Sequence, residues 1–240
     1  MTIVLTNDDG VDAPGLQALQ AALQQLDQTA VVIAPQGPWS GCSHQVTTAA
    51  AIQVQQRSPS EYAISGTPAD CVRLALSHFC PQVRWVLSGI NAGGNLGADV
   101  YISGTVAAVR EAALHRIPGI ALSQYRRRQQ AIDWQRSTHL AVKVLQELWA
   151  KPLPPGSFWN VNLPHLNPEE SDPPLVFCNP CSQPLPVYYR QEQDQFYYSA
   201  DYSLRKRDPN SDVEVCFSGQ IAVSQCQVTP PSASGVGRSP

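Results

Sequence analysis

Two adjacent carboxylates, Asp8 and Asp9, close the apolar run Thr2-Ile3-Val4-Leu5-Thr6 and are followed at once by Gly10. Neighbouring like charges repel, so packing alone gives little reason to pair them there. A hard divalent cation would cancel the repulsion by taking carboxylate oxygens as ligands. The competing reading is a solvated turn, because Asn7-Asp8-Asp9-Gly10 is also good turn chemistry. Two further polar segments offer matching donors. Pro38-Trp39-Ser40-Gly41-Cys42-Ser43 supplies a hydroxyl, and Ser88-Gly89-Ile90-Asn91 supplies an amide oxygen ahead of a glycine-rich loop through Gly97. Two aspartates, Ser40 and Asn91 form an all-oxygen set that suits Mg²⁺ or Mn²⁺ and is poor for structural zinc. Ser103-Gly104-Thr105 opens a helical pattern, whose free backbone N–H groups can cradle a phosphate. A cation beside an anion-binding helix end points to phosphoryl chemistry.

The elements that must position these residues read as alternating strands and helices, the signature of βαβ units and a mostly parallel sheet. Strands are expected at 2–6, 30–34, 85–87, 120–122 and 159–163. A helix opens at Pro14 with Leu16, Leu19, Leu23 and Leu26 on one stripe and Asp12 as its N-cap. Thr67-Pro68-Ala69-Asp70 reads as another helix start, with Thr67 as N-cap and Asp70 favoured by the helix dipole. A third helix follows Thr105 and runs to about His115, and Leu140, Val144 and Leu148 mark a fourth. In an open parallel sheet, ligands bind beyond the carboxyl ends of the strands. The ends of the first three strands are the three polar segments above, so topology should gather them at one edge.

Composition narrows the remaining classes. The 240 residues are 43 % hydrophobic, enough for one sizeable α/β domain. The net charge of −3 gives no footprint for nucleic acid, and Arg126-Arg127-Arg128 reads as a solvated loop. No apolar stretch is long enough to span a bilayer, and no signal peptide is seen, so the expected location is cytoplasmic with no membrane partner. Seven scattered cysteines fit reduced thiols; Cys178-Asn-Pro-Cys181 is a lone pair without the rest of a zinc set. The frames GxGxxG and GxxxxGK[ST] are missing, which excludes a dinucleotide fingerprint and a P-loop. Beyond Pro164, prolines and aromatics dominate (Tyr188, Tyr189, Phe196, Tyr197, Tyr198, Tyr202) with alternating pattern. We read extended hairpins there, an arm over 165–215 within one domain of residues 1–228, a strand over 219–228, and a disordered tail at 229–240.

Five blocks, in order, carry a family resemblance: Leu5-Thr6-Asn7-Asp8-Asp9-Gly10-Val11, Ser40-Gly41-Cys42-Ser43, Gly66-Thr67-Pro68-Ala69-Asp70-Cys71-Val72, Ser88-Gly89-Ile90-Asn91-Ala92-Gly93, and Asp99-Val100-Tyr101 with Ser103-Gly104-Thr105-Val106. The chain resembles the SurE family, the survival-protein nucleotidases, over most of its length and most strongly over 1–123. The resemblance implies a Rossmann-like open sheet flanked by helices, with a C-terminal hairpin arm used in oligomerisation to a homodimer or homotetramer. It implies a phosphatase of nucleoside 5′-monophosphates, with 3′-nucleotides and polyphosphate as further substrates, using one divalent cation per subunit. On the family's pattern Asp8, Asp9, Ser40 and Asn91 fall on metal ligands, Asp8 and Asp9 being also the catalytic carboxylates. Asn95, Ser103, Gly104 and Thr105 fall on the phosphate pocket. Trp39 stands where related chains often have a basic residue, and Gly94 where proline is common. His44 is the nearest candidate proton donor to the leaving nucleoside, the alternative being a structural histidine. A non-catalytic, metal-dependent nucleotide sensor and an interaction protein working through the arm are the rival classes.

Overall fold

The structure is a computed structural model that describes residues 1–127, 130–167 and 169–228. Arg128 and the expected tail at 229–240 lie outside the described residues. In chain order the elements are β1 (Thr2–Thr6), α1 (Pro14–Gln25), β2 (Ala30–Pro35), β3 (Val54–Ser58), β4 (Glu61–Ile64), α2 (Pro68–Leu74, continued by a π turn, Ala75–Phe79) and β5 (Val83–Asn91). There follow α3 (Asp99–Ile102), α4 (Gly104–Leu114), β6 (Gly119–Gln124), α5 (Trp134–Trp149), β7 (Ser157–Leu163), β8 (Leu175–Phe177), β9 (Tyr189–Glu192), β10 (Gln195–Tyr198), α6 (Asp212–Phe217) and β11 (Ile221–Gln227).

One mixed sheet runs in the order β3-β4-β2-β1-β5-β6-β7-β11-β8. Its middle, β4-β2-β1-β5-β6-β7, is parallel throughout, while β3 and β11 join antiparallel. The strands are apolar on both faces because helices cover both. Ile3 and Leu5 of β1 point into the core shared with α1 and α5, whereas Val4 points into the core shared with α2 and α4. The leucine stripe of α1 is fully used, with Leu16, Leu19 and Leu23 all buried. Each contributes about 1.5–3 kcal/mol by leaving water. Among the described residues no helix is long and apolar enough to cross a membrane.

Two helix starts show how local chemistry sets the frame. Thr67 and Asp70 form a reciprocal capping box on α2, with Thr67 Oγ1 accepting from Asp70 N and Asp70 Oδ2 accepting from Thr67 N. The start of α1 is different from expectation. Its N-cap is Ala13, with no side-chain cap, because Asp12 is drawn away into an ion pair with Arg57 of β3. Strand β5 also outruns its expected end and carries Ser88-Gly89-Ile90-Asn91 within it. Against β6 it gains one residue, since Ser88 faces Ala121 but Asn91 faces Ser123. This bulge forms at Gly89, whose φ is +135° and whose added Cβ would lie 2.2 Å from the Leu122 carbonyl oxygen, so only glycine fits. The hairpin β9–β10 stands apart from the main sheet as expected, but α6 and a 3₁₀ turn (Tyr202–Leu204) replace extended chain after it.

Candidate active site

The carboxyl ends of β1, β2 and β5 lie side by side, because β1 pairs parallel with both neighbours. Beyond β1, Asn7 fixes the turn: its Nδ2 donates to the Gly10 carbonyl at 2.8 Å and its Oδ1 accepts from Gly10 N at 3.2 Å. That turn holds Asp8 and Asp9 in place. Asp8 is buried, and its Oδ1 accepts from the Thr105 hydroxyl at 2.5 Å. Asp9 Oδ2 accepts from Ala92 N at 3.1 Å, which ties the first polar segment to the residue after Asn91. The Ser40 segment is tied to the same place, since Trp39 N donates to the Asp8 carbonyl at 2.7 Å. Asn91 donates through Nδ2 to the Gly93 carbonyl at 2.9 Å.

The Asp8 carboxylate is held by the Thr105 hydroxyl and by the backbone N–H groups of Thr105 and Asp8, and Asp9 by the Ala92 N–H; the hydrogen bonds among the described residues leave Asn91 Oδ1 and Ser40 Oγ open. Burial pushes the Asp8 carboxyl up to about 6; the Thr105 bond opposes the rise and the Asp9 charge adds to it. Asp9 is also raised, by burial. Two desolvated neighbouring carboxylates are what a hard cation would relieve, so these residues fit one divalent ion. Among the described residues no group of three or more His, Cys, Asp or Glu is gathered as a metal site. A cation at Asp8 and Asp9 must therefore complete its shell from neutral oxygens, the role that Ser40 and Asn91 can fill.

The start of α4 faces this cluster. Ser103 caps the helix by accepting from Val106 N at 3.1 Å, which leaves its own O–H free, and the first-turn N–H groups of Gly104 and Thr105 have no intrahelical partner. The approach is close: a Cβ on Gly104 would lie 2.8 Å from Asp8 Cβ and 2.9 Å from Cys42 Sγ. Asn95 completes the floor. Its amide donates to Ser123 at 2.7 Å and, at a long 3.5 Å, to Thr105, so one N–H is only weakly held and can be drawn to a ligand.

The structure thus brings Asp8, Asp9, Asn91, Asn95, Ser103, Gly104 and Thr105 together and ties the Ser40 loop to them. His44 is engaged elsewhere. Its Nε2 is 2.7 Å from Oε2 of the buried Glu111, which also meets His115 at 3.1 Å and Arg73 at 3.6 Å. Glu111 lies seven residues beyond Gly104, about 10 Å along the helix at its usual rise. Burial pushes Glu111 up, but the bonds from His44 and His115 and the charge of Arg73 outweigh it, so the carboxyl is held below its ordinary value.

The family model described as survival protein SurE matches residues 3–181. The chain belongs to the SurE family. A relative from Nostoc sp., provisionally named a 5′-nucleotidase, is 58 % identical over 228 residues, covering 95 % of this chain and 100 % of its own. The protein of Pelobacter propionicus named 5′-nucleotidase SurE is 41 % identical over 177 residues, 73 % of this chain and 71 % of its own. The crystal structure of the SurE protein from Aquifex aeolicus superposes with a TM-score of 0.84 at 28 % identity, covering 97 % of this chain and 95 % of that one.

Several residues that hold the SurE site escaped the sequence reading. Asn160 and Asn162 of β7 grip the Asn95 backbone: both amides donate to its carbonyl, at 2.8 and 3.0 Å, and Asn162 Oδ1 accepts from Asn95 N at 2.7 Å. Two asparagines spaced i and i+2 in a wholly buried strand share one face, so the alternation was the available signal. Ser123, Glu111 and Arg205 left no comparable mark, and the bonds of Asp99 and Tyr202 could not be read from their places in a resembling block and in the aromatic stretch. Tyr202, Arg205 and Asp212 lie beyond the span that the family model matches.

Proposed function

We propose that this SurE chain is a divalent-metal-dependent phosphomonoesterase that hydrolyses nucleoside 5′-monophosphates to nucleoside and phosphate, with 3′-nucleotides and short polyphosphate as further substrates. The observation that carries the reading is the buried Asp8 beside Asp9, held against the start of α4 by Thr105. The names of the Nostoc and Pelobacter relatives point the same way.

Asp8, Asp9, Ser40 and Asn91 would hold the cation, with Mg²⁺ or Mn²⁺ the fitting ions. When bound, it supplies charge neutralisation at the phosphoryl oxygens and acidifies water. The chain supplies the rest. Thr105, through its hydroxyl and N–H, and the Ala92 N–H orient the two carboxylates, while Ser103, the Gly104 N–H and the Asn95 amide receive the equatorial oxygens. As water attacks, its oxygen bonds to phosphorus and the bond to the nucleoside oxygen breaks. Asp8 or Asp9 accepts the water proton, and the leaving nucleoside oxygen is protonated in turn. The alternative, an aspartyl phosphate on one of these carboxylates, is separated by the stereochemistry at an isotopically chiral phosphorus: one displacement by water inverts it, whereas net retention would sink direct attack. His44 meets Glu111 through Nε2 alone, so the pair anchors the Ser40 loop on α4 and a proton-donor role would fall to Nδ1.

The exposed faces of β9 and β10, with Tyr189, Phe196, Tyr197 and Tyr198 42–64 % exposed, support assembly to a homodimer or homotetramer through the arm. Phosphate release from AMP, GMP, CMP, UMP and 3′-AMP, with Mg²⁺, Mn²⁺ or EDTA, tests the reaction. Release that needs the metal and vanishes in Asp8→Asn supports it; nucleotide binding without release moves the chain to the sensor class.

A further inference from the structure

The segment after the hairpin reaches back into the floor of the site. Arg205 has a side chain with 0 % exposure; its Nη1 donates to Asp99 Oδ2 at 2.8 Å and its Nη2 to the Leu96 carbonyl at 3.1 Å. The Tyr202 hydroxyl donates to the same Asp99 oxygen, and the Arg205 guanidinium lies 4.9 Å from the Tyr202 ring centre. Asp99 Oδ2 also accepts from Leu96 N at 3.0 Å. One residue further on, Gly97 N donates to Asp212 Oδ2 at 2.7 Å, and Asp212 Oδ1 accepts from Cys181 N at 2.8 Å. The two residues that follow Asn95 are therefore bonded, on both backbone polarities, to chain more than a hundred positions away. Asn95 itself is gripped from the other side by Asn160 and Asn162.

A buried guanidinium and carboxylate are a poor way to add stability, since both must be taken out of water; an apolar pair would serve at least as well. What the ionic pair supplies is direction: a planar fork that fixes one carbonyl and one carboxylate at once. We propose that Arg205, seconded by Tyr202, is a positioning residue of the hydrolytic reaction. It sets the Leu96–Asp99 turn and hence the Asn95 amide that faces the phosphoryl group. Tyr202 opens a turn only four residues after β10 ends, so the base of the arm and the phosphate pocket share this clamp. The inference rests on the phosphatase reading above and adds to it a role for a segment outside the span matched by the family model.

The test compares wild type with Arg205→Met, Arg205→Lys, Asp99→Asn and the double variant Asp99→Asn/Arg205→Met, each well below its own unfolding temperature. Turnover of AMP, the metal activation constant and the affinity for inorganic phosphate in the presence of Mn²⁺ are measured, the last by calorimetry. Arg205→Met should raise KM for AMP and weaken phosphate binding by about tenfold or more, the effect of a small displacement of one ligand-holding group. The metal activation constant should stay within about twofold, because Asp8, Asp9, Ser40 and Asn91 lie outside the clamp. Arg205→Lys should recover part of the loss, and the double variant should lose less than the two single effects combined. If Arg205→Met does not fold, Tyr202→Phe, which removes one hydroxyl, should move KM and phosphate affinity in the same direction by a few-fold. Unchanged KM and phosphate affinity with only a lower unfolding temperature would make Arg205 structural and overturn the proposal. A wild type that binds phosphate but releases none from any nucleotide removes the phosphatase reading alone, and the phosphate affinities still decide the role of Arg205. A wild type that does neither removes both.

Discussion

Gly104 shows how little room the site leaves at the level of single residues. An alanine there would put a methyl carbon 2.8 Å from Asp8 Cβ and 3.0 Å from its Oδ2, so the carboxylate must move. Gly104→Ala should fold, since the first helical position accepts alanine and its φ is not in the left-handed region, yet lose about a hundredfold or more in kcat with AMP. Asp8→Asn should abolish metal-stimulated release altogether. In the metal-free protein the same change should raise the unfolding temperature, because it removes a desolvated charge next to Asp9; calorimetry with EDTA checks this. Glu111 has the opposite sign. Its folded pKa lies below the ordinary value of 4.5, so its ionised form stabilises the fold fully above that value and loses the contribution as pH falls through the lower folded one. Glu111→Gln should thus cost about 1–3 kcal/mol at neutral pH, and denaturant unfolding at a series of pH values should show the gap to wild type closing in acid. A gap that is flat with pH would rule out the ionised carboxylate as the source.

At the scale of elements, β7 acts as a rail for the Asn95 backbone, and Asn162 is the test of it. Asn162→Ala breaks a donor and an acceptor on the Asn95 backbone at once. It should destabilise by about 2–4 kcal/mol and raise KM for AMP more than it lowers metal affinity, read by urea unfolding beside steady-state kinetics. Reading from residues succeeds elsewhere: β1, β2 and β6 were legible because short apolar runs bounded by Gly, Pro or polar clusters have few other readings. The capping box of α2 was legible because its two partners are three residues apart. The Asp12 cap was misread because its competitor, Arg57, comes from a strand 45 residues away, and local chemistry cannot see it. The bulge at Gly89 was invisible for the same reason: it exists only where β5 meets β6. The candidate ligands Asp8, Asp9, Ser40 and Asn91 were proposed from strand ends and the family resemblance; Asp99 stood within a resembling block, but its bond to Arg205, 106 residues away, exists only in the folded chain.

For the whole molecule, the exposed hairpin makes the assembly state testable. Phe196→Glu together with Tyr198→Glu places two charges on the exposed arm without touching the main sheet. Light scattering should report a shift to smaller species, and unchanged mass would show that the arm is not the contact. The order of strands carries one more consequence. Among the described residues β11 is the last element, yet it lies inside the sheet, paired with β7 on one side and β8 on the other. During synthesis β8 therefore has no seat until residues 221–227 have left the ribosome, although it was made some fifty residues earlier. The clamp on Asn95 must wait almost as long, because it needs residues 202–212. A nascent chain can gather Asp8, Asp9 and Asn91 well before this, but its phosphate floor stays unset. Competence to act should arrive late and abruptly, as the final strand slides into its place.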